Sequence, residues 1–171
     1  MDNFETVLPK LLKIELFSAF KEDDENDRKI LKLVYDNMVL KTFKKGDVII
    51  KEGDYGDSFY ILYKGSVQIF RNTPAGDRIA LANLSSDMNI FFGETALISK
   101  DTRSATVIAT TDCTTIVLSS RKFLQLCDKE PLLGYRVILI LARRMSHTIR
   151  SSNNDKAALY EALFNEIENG D

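Results

Sequence analysis

Between residues 39 and 118 the chain breaks into seven short runs of β-forming residues, VLKTF, DVIIK, SFYILY, SVQIF, RIALANL, RSATVIA and CTTIVL. The pieces between them include KKG, EGDYGD, KG and NTPAGD. Strands this short, joined by tight turns, bury their apolar residues in a closed or sandwiched antiparallel barrel. Six of the eight glycines (Gly46, Gly53, Gly56, Gly65, Gly76, Gly93) fall here, where turns between antiparallel strands call for positive φ.

The flanks read differently. Residues 1–38 combine helical apolar periodicity with a charged run, KEDDENDR, and predict short helices joined by a solvated loop, Pro9 opening a helical turn. After the barrel (39–118), residues 119–150 predict two helices, the first capped by Ser119-Ser120 and the second started by Pro131. The run SSNND at 151–155 is expected to break the second helix and leave 151–171 as an amphipathic tail. The fold class is therefore mainly β with flanking helices.

Composition removes several functions. A chain of 171 residues holds one well-buried domain, and a net charge of -2 gives no footprint for wrapping nucleic acid. The longest purely apolar stretch, residues 137–142, falls far short of the roughly 20 needed to span a bilayer. The N-terminus MDNFETVLPK has no basic segment ahead of an apolar core, so no signal peptide is read there. Two cysteines, Cys113 and Cys127, can make neither an iron–sulfur cluster nor a four-thiolate zinc site, and they read as core fillers. With a single histidine, His147, no imidazole cluster for a catalytic metal and no plausible nucleophile–base pair exists. We expect a non-enzyme without a metal, in a reducing cytoplasm.

The most informative run is FFGETALISKDTRSAT, residues 91–106. Gly93 lets backbone approach a ligand, and Glu94, Thr95 and Ala96 would open a short helix whose first N–H groups attract a phosphate. Nine residues after Glu94 stands Arg103, whose planar guanidinium can bridge two phosphate oxygens, followed by the Ser104 hydroxyl. Glu94 would repel a phosphate, so its better partner is a sugar hydroxyl. Taken singly, Arg103 could merely pair with Asp101, and Glu94 could merely cap a helix. Taken together, the residues specify a nucleotide.

This segment resembles the phosphate-binding cassette of the cyclic nucleotide-binding domain family, and KKGDVIIKEGDYGDSFYILYKGSVQIF resembles the family's strand-and-turn signature. The resemblance covers residues 11–150. It implies an eight-stranded β-roll with N-terminal helices and a long C-terminal helix. It also implies that Gly93, Glu94, Thr95 and Ala96 hold ribose and phosphate, Arg103 a phosphate oxygen, and Ser104 the phosphate or the base edge. The run LARRMSHT is similar to the dimer helix of the bacterial catabolite activator family, which implies Arg144 near Glu94, Thr148 facing an adenine, and Leu81 beneath the ring. Thr95 stands where the family usually has Leu, Asn89 where a turn usually has Gly, and Ile149 where the activators have a polar residue.

The expected ligand is cAMP, with cGMP as the alternative, since Ser104 could equally serve guanine. A β-roll kept only for protein contacts is the competing class. Ile138, Leu141, Met145 and Thr148 form a seam along the long helix, which either packs against its own barrel or, as we expect, pairs with a second copy in a homodimer. The 21 residues after Arg150 are fewer than the roughly 60 of a winged DNA-reading unit. The expectation is a sensor that reports to an unidentified downstream protein without touching DNA.

Overall fold

The computed structural model describes residues 3–73, 75–99 and 102–168. Among the described residues eight strands form two antiparallel four-stranded sheets. They are β1 (Val39–Phe43), β2 (Val48–Ile50), β3 (Ser58–Lys64), β4 (Ser66–Asn72), β5 (Arg78–Ser85), β6 (Phe91–Phe92), β7 (Thr106–Ala109) and β8 (Cys113–Ser119). Their order is β1-β8-β3-β6 in one sheet and β2-β7-β4-β5 in the other. Four helices flank them: α1 (Phe4–Lys13), α2 (Glu25–Asp36), α3 (Ser120–Lys129) and α4 (Pro131–Glu168).

Two apolar clusters build the domain from opposite faces of the first sheet. Phe59 and Ile61 of β3, Phe91 of β6, and Ile116 and Leu118 of β8 point toward the helices and meet Leu8, Leu11, Leu31, Val34, Phe123 and Val137. The alternate residues Tyr60, Leu62, Phe92 and Val117 point into the roll, against Ile50, Val67, Val107 and Ala109 of the second sheet. Burial on both faces explains why SFYILY reads as a continuous apolar run rather than an alternating one. Each fully buried Phe or Leu contributes about 1.5–3 kcal/mol, so the helices are structural partners of the roll and not appendages.

The cleft described below depends on how α4 is anchored. Its Leu133, Val137 and Leu141, spaced four apart, lie 0%, 0% and 2% exposed in the helix-side core, where α4 meets α3 and the 3-10 turn Glu15–Phe17. Asp27 of α2, itself 2% exposed, accepts a hydrogen bond from Arg136 at 2.5 Å. Beside them Gly134 lets α3 come close, because a Cβ there would sit 3.2 Å from the Cβ of Cys127. Burial pushes the Cys127 thiol up to about 11, so it stays protonated at neutral pH.

Four sequence expectations are corrected. Pro9 does not open α1 but lies inside it, where the packing of Val7, Leu8 and Leu11 outweighs one lost backbone bond. Residues 151–155 do not interrupt α4, which is continuous over 38 residues. Ser and Asn lower helix propensity by only a few tenths of a kcal/mol each, too little to stop a helix already nucleated by packed residues. Leu141 does not share a seam with Ile138 and Met145: it faces its own core, while those two are 41% and 46% exposed. Gly56 is not among the glycines with positive φ; its role is a close approach, described next. The last residues assigned to the amphipathic tail, 169–171, lie outside the described residues.

Candidate functional site

The site begins at β6, a two-residue strand that pairs with Tyr60 and Ile61 of β3. The chain enters it through Asn89, whose φ of 50° is left-handed, a conformation asparagine tolerates better than most residues. It leaves through Gly93, with φ 74°, into a 3-10 turn, Glu94–Leu97. Ala96 and Leu97 are 5% and 0% exposed and anchor that turn to the interior. Glu94 and Thr95 are left on the outer side of the turn.

Arg103 reaches the same spot from the far end of the cassette. Its backbone is fixed to the loop before β3, with Arg103 N–H donating to Asp54 and Gly53 N–H donating to Arg103, both at 2.9 Å. The side chain turns inward and is 9% exposed. Its Nη1 donates to the Gly93 carbonyl at 3.1 Å and its Nη2 to the Ser58 carbonyl at 2.6 Å. A Cβ on Gly56 would lie 2.3 Å from Arg103 Nε, so only glycine leaves room for the guanidinium.

Burial lowers the pKa of this arginine, while Tyr60, Asp57 and Glu94 act in the opposite direction. The group nevertheless stays protonated. Among the described residues it forms no ion pair; two carbonyl dipoles hold it in place without neutralising it. The alternative partner Asp101 lies outside the described residues. A buried cation hydrogen-bonded to carbonyl oxygens is stabilised further by an anion placed beside it.

A cleft of about 370 Å³ opens over this point. Gly93, Glu94, Thr95, Arg103, Ser104, Leu81 of β5 and Arg144 of α4 all line it, above an apolar floor that includes Ile50, Ile69, Phe92 and Val107. Seven of the residues singled out in the sequence are thus brought together. Ala96 is not on the wall: it is packed behind it. Thr148 lines a neighbouring cleft of about 230 Å³ with Glu94, Thr95, Met145 and Ile149, and its hydroxyl donates to the Arg144 carbonyl at 3.0 Å.

Arg144 lines both clefts. Its Nε lies 3.6 Å from Glu94, its Nη1 3.4 Å from Glu15, and its guanidinium stacks 4.7 Å over the Phe91 ring. Glu94 therefore faces a cation across the cleft and makes no side-chain cap of its own turn. Sequence reasoning placed Gly56 and Ser58 only in a turn and a strand and missed their part in holding Arg103; it did not single out Glu15, whose partner Arg144 is 129 positions away.

A positive centre in the wall, a carboxylate a few residues away and an apolar floor suit a flat ligand that carries both an anionic group and a hydroxyl donor. Among the described residues no group of three or more His, Cys, Asp or Glu could hold a metal ion, and no helix is long and apolar enough to cross a membrane.

Comparison with known proteins identifies the family. The chain is 33% identical over 152 residues to human cGMP-dependent protein kinase 2, covering 85% of this chain but 19% of the kinase. A cAMP-dependent protein kinase regulatory subunit from Hypocrea atroviridis is 39% identical over 93 residues, 54% of this chain and 19% of that protein. The chain therefore spans about a fifth of these relatives, and only their regulatory part matches. The crystal structure of the Thermus thermophilus catabolite activator protein superposes with a TM-score of 0.71 at 25% identity, over 85% of this chain and 63% of the other. The family model for the cyclic nucleotide-binding domain matches residues 40–130, more than half of the chain, and the protein belongs to that family.

Proposed function

We propose that the protein is a cAMP receptor that passes ligand occupancy through α4 to a partner protein. The observation that carries this reading is Arg103, a buried guanidinium held by two carbonyls at the wall of a cleft that also presents Glu94. In this reading the phosphate takes the outer face of Arg103 and the hydroxyl of Ser104, while the backbone from Gly93 to Ala96 cradles phosphate and ribose. Glu94 accepts from the ribose 2′-hydroxyl, and Leu81 covers the base.

The base preference rests on Thr148. Its hydroxyl proton is committed to the Arg144 carbonyl, so its oxygen is free to accept, which suits the adenine amino group. That contact requires α4 to shift toward the cleft over Arg103, because Thr148 lies in the adjoining cleft. Ligand that touches both elements favours the shifted state by its differential affinity for it. A second reading, cGMP, is favoured by the Ser104 hydroxyl on the cleft wall and by the similarity to cGMP-dependent kinases.

The output is an interaction of α4 in the cytoplasm, with a second copy or with a downstream protein. Support for self-pairing comes from its outward stripe: Tyr135, Ile138, Met145, Ile149, Leu159 and Leu163 are all at least 41% exposed and follow a coiled-coil period. DNA contact and catalysis have no place in this reading.

Isothermal titration tests the assignment. Heat with cAMP at micromolar protein is the expected result, whereas no heat with cAMP or cGMP at millimolar ligand ends the receptor reading. A tenfold tighter response to cGMP would replace cAMP with cGMP.

Gly56→Ala offers a test that leaves every proposed contact residue in place. The new methyl must displace the Arg103 guanidinium, because it would overlap Nε, Nη2 and Cζ at 2.3–2.7 Å and so disturb the bonds to Gly93 and Ser58. We expect at least a tenfold loss of affinity, about 1.4 kcal/mol. The protein should remain folded by circular dichroism, since the displaced group is the end of a long side chain. Unchanged affinity would show that the position of Arg103 does not matter for binding.

A further inference from the structure

We infer that Glu15 is a positioning residue for this site, acting through Arg144; the inference rests on the receptor reading above. Arg144 is the wall shared by three clefts: the one over Arg103, the one containing Thr148, and a third lined by Lys13, Glu15, Met88 and Asn89. Its guanidinium is divided between two carboxylates from different parts of the chain, Nη1 toward Glu15 and Nε toward Glu94. Stacking on Phe91 keeps the plane of the group in place while leaving its edge free to change partners.

Glu15 is well placed to hold its share. It opens the 3-10 turn Glu15–Phe17, and the residues around it, Ile14, Leu16 and Phe17, are 0%, 1% and 1% exposed. Its backbone is therefore fixed although its side chain is 60% exposed. The same N-terminal segment grips α4 a second time through Asp27 and Arg136, two helical turns earlier and nearly buried. One contact is a permanent anchor; the other lies at the mouth of the cleft, where it can be exchanged.

The consequence is a competition. As long as Glu15 draws on Arg144, less of the positive charge bears on Glu94 and on an incoming phosphate. Without the Glu15 charge, the guanidinium is free to serve Glu94 alone, orienting that carboxylate for a sugar hydroxyl. Glu15 thus keeps the affinity of the resting receptor down.

A double-mutant cycle on the full chain, read by cAMP and 2′-deoxy-cAMP titration, tests this. Glu15→Gln is expected to tighten cAMP binding about three- to fivefold, in the range of exposed ion pairs. It should also widen the preference for cAMP over 2′-deoxy-cAMP, and the effect should vanish when Arg144→Gln is already present. A residue that only braced the fold would lower the melting temperature of the free protein and would not move the sugar preference. No change in affinity, or an equal change with Arg144→Gln present, overturns the inference. If the parent protein binds neither nucleotide, the receptor reading fails first; if the parent binds and the cycle sums to zero, only Glu15 is removed.

Discussion

Arg103→Ala is expected to weaken cAMP binding by about 2–5 kcal/mol, which is the cost of leaving a desolvated charge without its partner. The same substitution carries a folding cost that is invisible in the motif. The guanidinium donates to the part-buried carbonyls of Ser58 and Gly93; the Gly93 carbonyl keeps the Ala96 N–H at 3.2 Å, so the cost falls on the Ser58 contact, at about 1–3 kcal/mol if water does not replace it. Arg103→Lys separates the two costs. An ammonium keeps the charge but cannot present a planar fork to two carbonyls and a phosphate together, so affinity should fall between the parent and Arg103→Ala. Titration calorimetry below the melting temperature of each variant provides the measurement. Folded Arg103→Ala that binds cAMP as tightly as the parent would take the arginine out of the site.

That folding cost shows where sequence reading stops. The residue types at 91–106 disclose the cassette because phosphate chemistry restricts them so narrowly. Six of the seven β runs correspond directly to strands, and RSATVIA gives its second half to β7. The eighth strand, Phe91–Phe92, is too short to have any period, and only the family resemblance leads to it. The partners of Arg103 come from residues 45 and 10 positions earlier, joined by sheet pairing rather than by pattern. Glu15 is 129 positions from Arg144, in a segment whose local sequence says only that it is helical and half apolar.

The long helix illustrates a different limit. Residues 131–149 carry two apolar stripes, Leu133–Val137–Leu141 and Ile138–Met145–Ile149, and helical periodicity accommodates both. Which one turns inward depends on the shape left by α1, α2 and the first sheet, and burial selects the first. The SSNND run misleads for a related reason, since local propensity is a weak force beside a helix already fixed at one end.

The two stripes yield a pair of opposite outcomes. Leu141 is 2% exposed and belongs to the helix-side apolar core, so Leu141→Glu must desolvate a carboxylate there. We expect a loss of about 3–5 kcal/mol, a large part of the 5–15 kcal/mol typical of a domain, and hence a strongly lowered melting temperature. Leu163 is 51% exposed on the distal part of α4, so Leu163→Glu costs the isolated chain within about 0.5 kcal/mol. In a pair of parallel helices the same change sets two carboxylates across one seam, where they repel and must also be desolvated. Leu163→Glu should therefore keep the melting temperature of the monomer and lose the dimer. Pairing and ligand binding meet on α4, since Met145 and Ile149 border the cleft that holds Thr148, so cAMP should shift the dimer constant by about 1–3 kcal/mol. Sedimentation of the parent and both variants, with and without cAMP, reads every one of these effects. A parent that is monomeric throughout, or a Leu163→Glu variant that dimerises as the parent does, would show that the outward stripe serves another protein instead of a second copy.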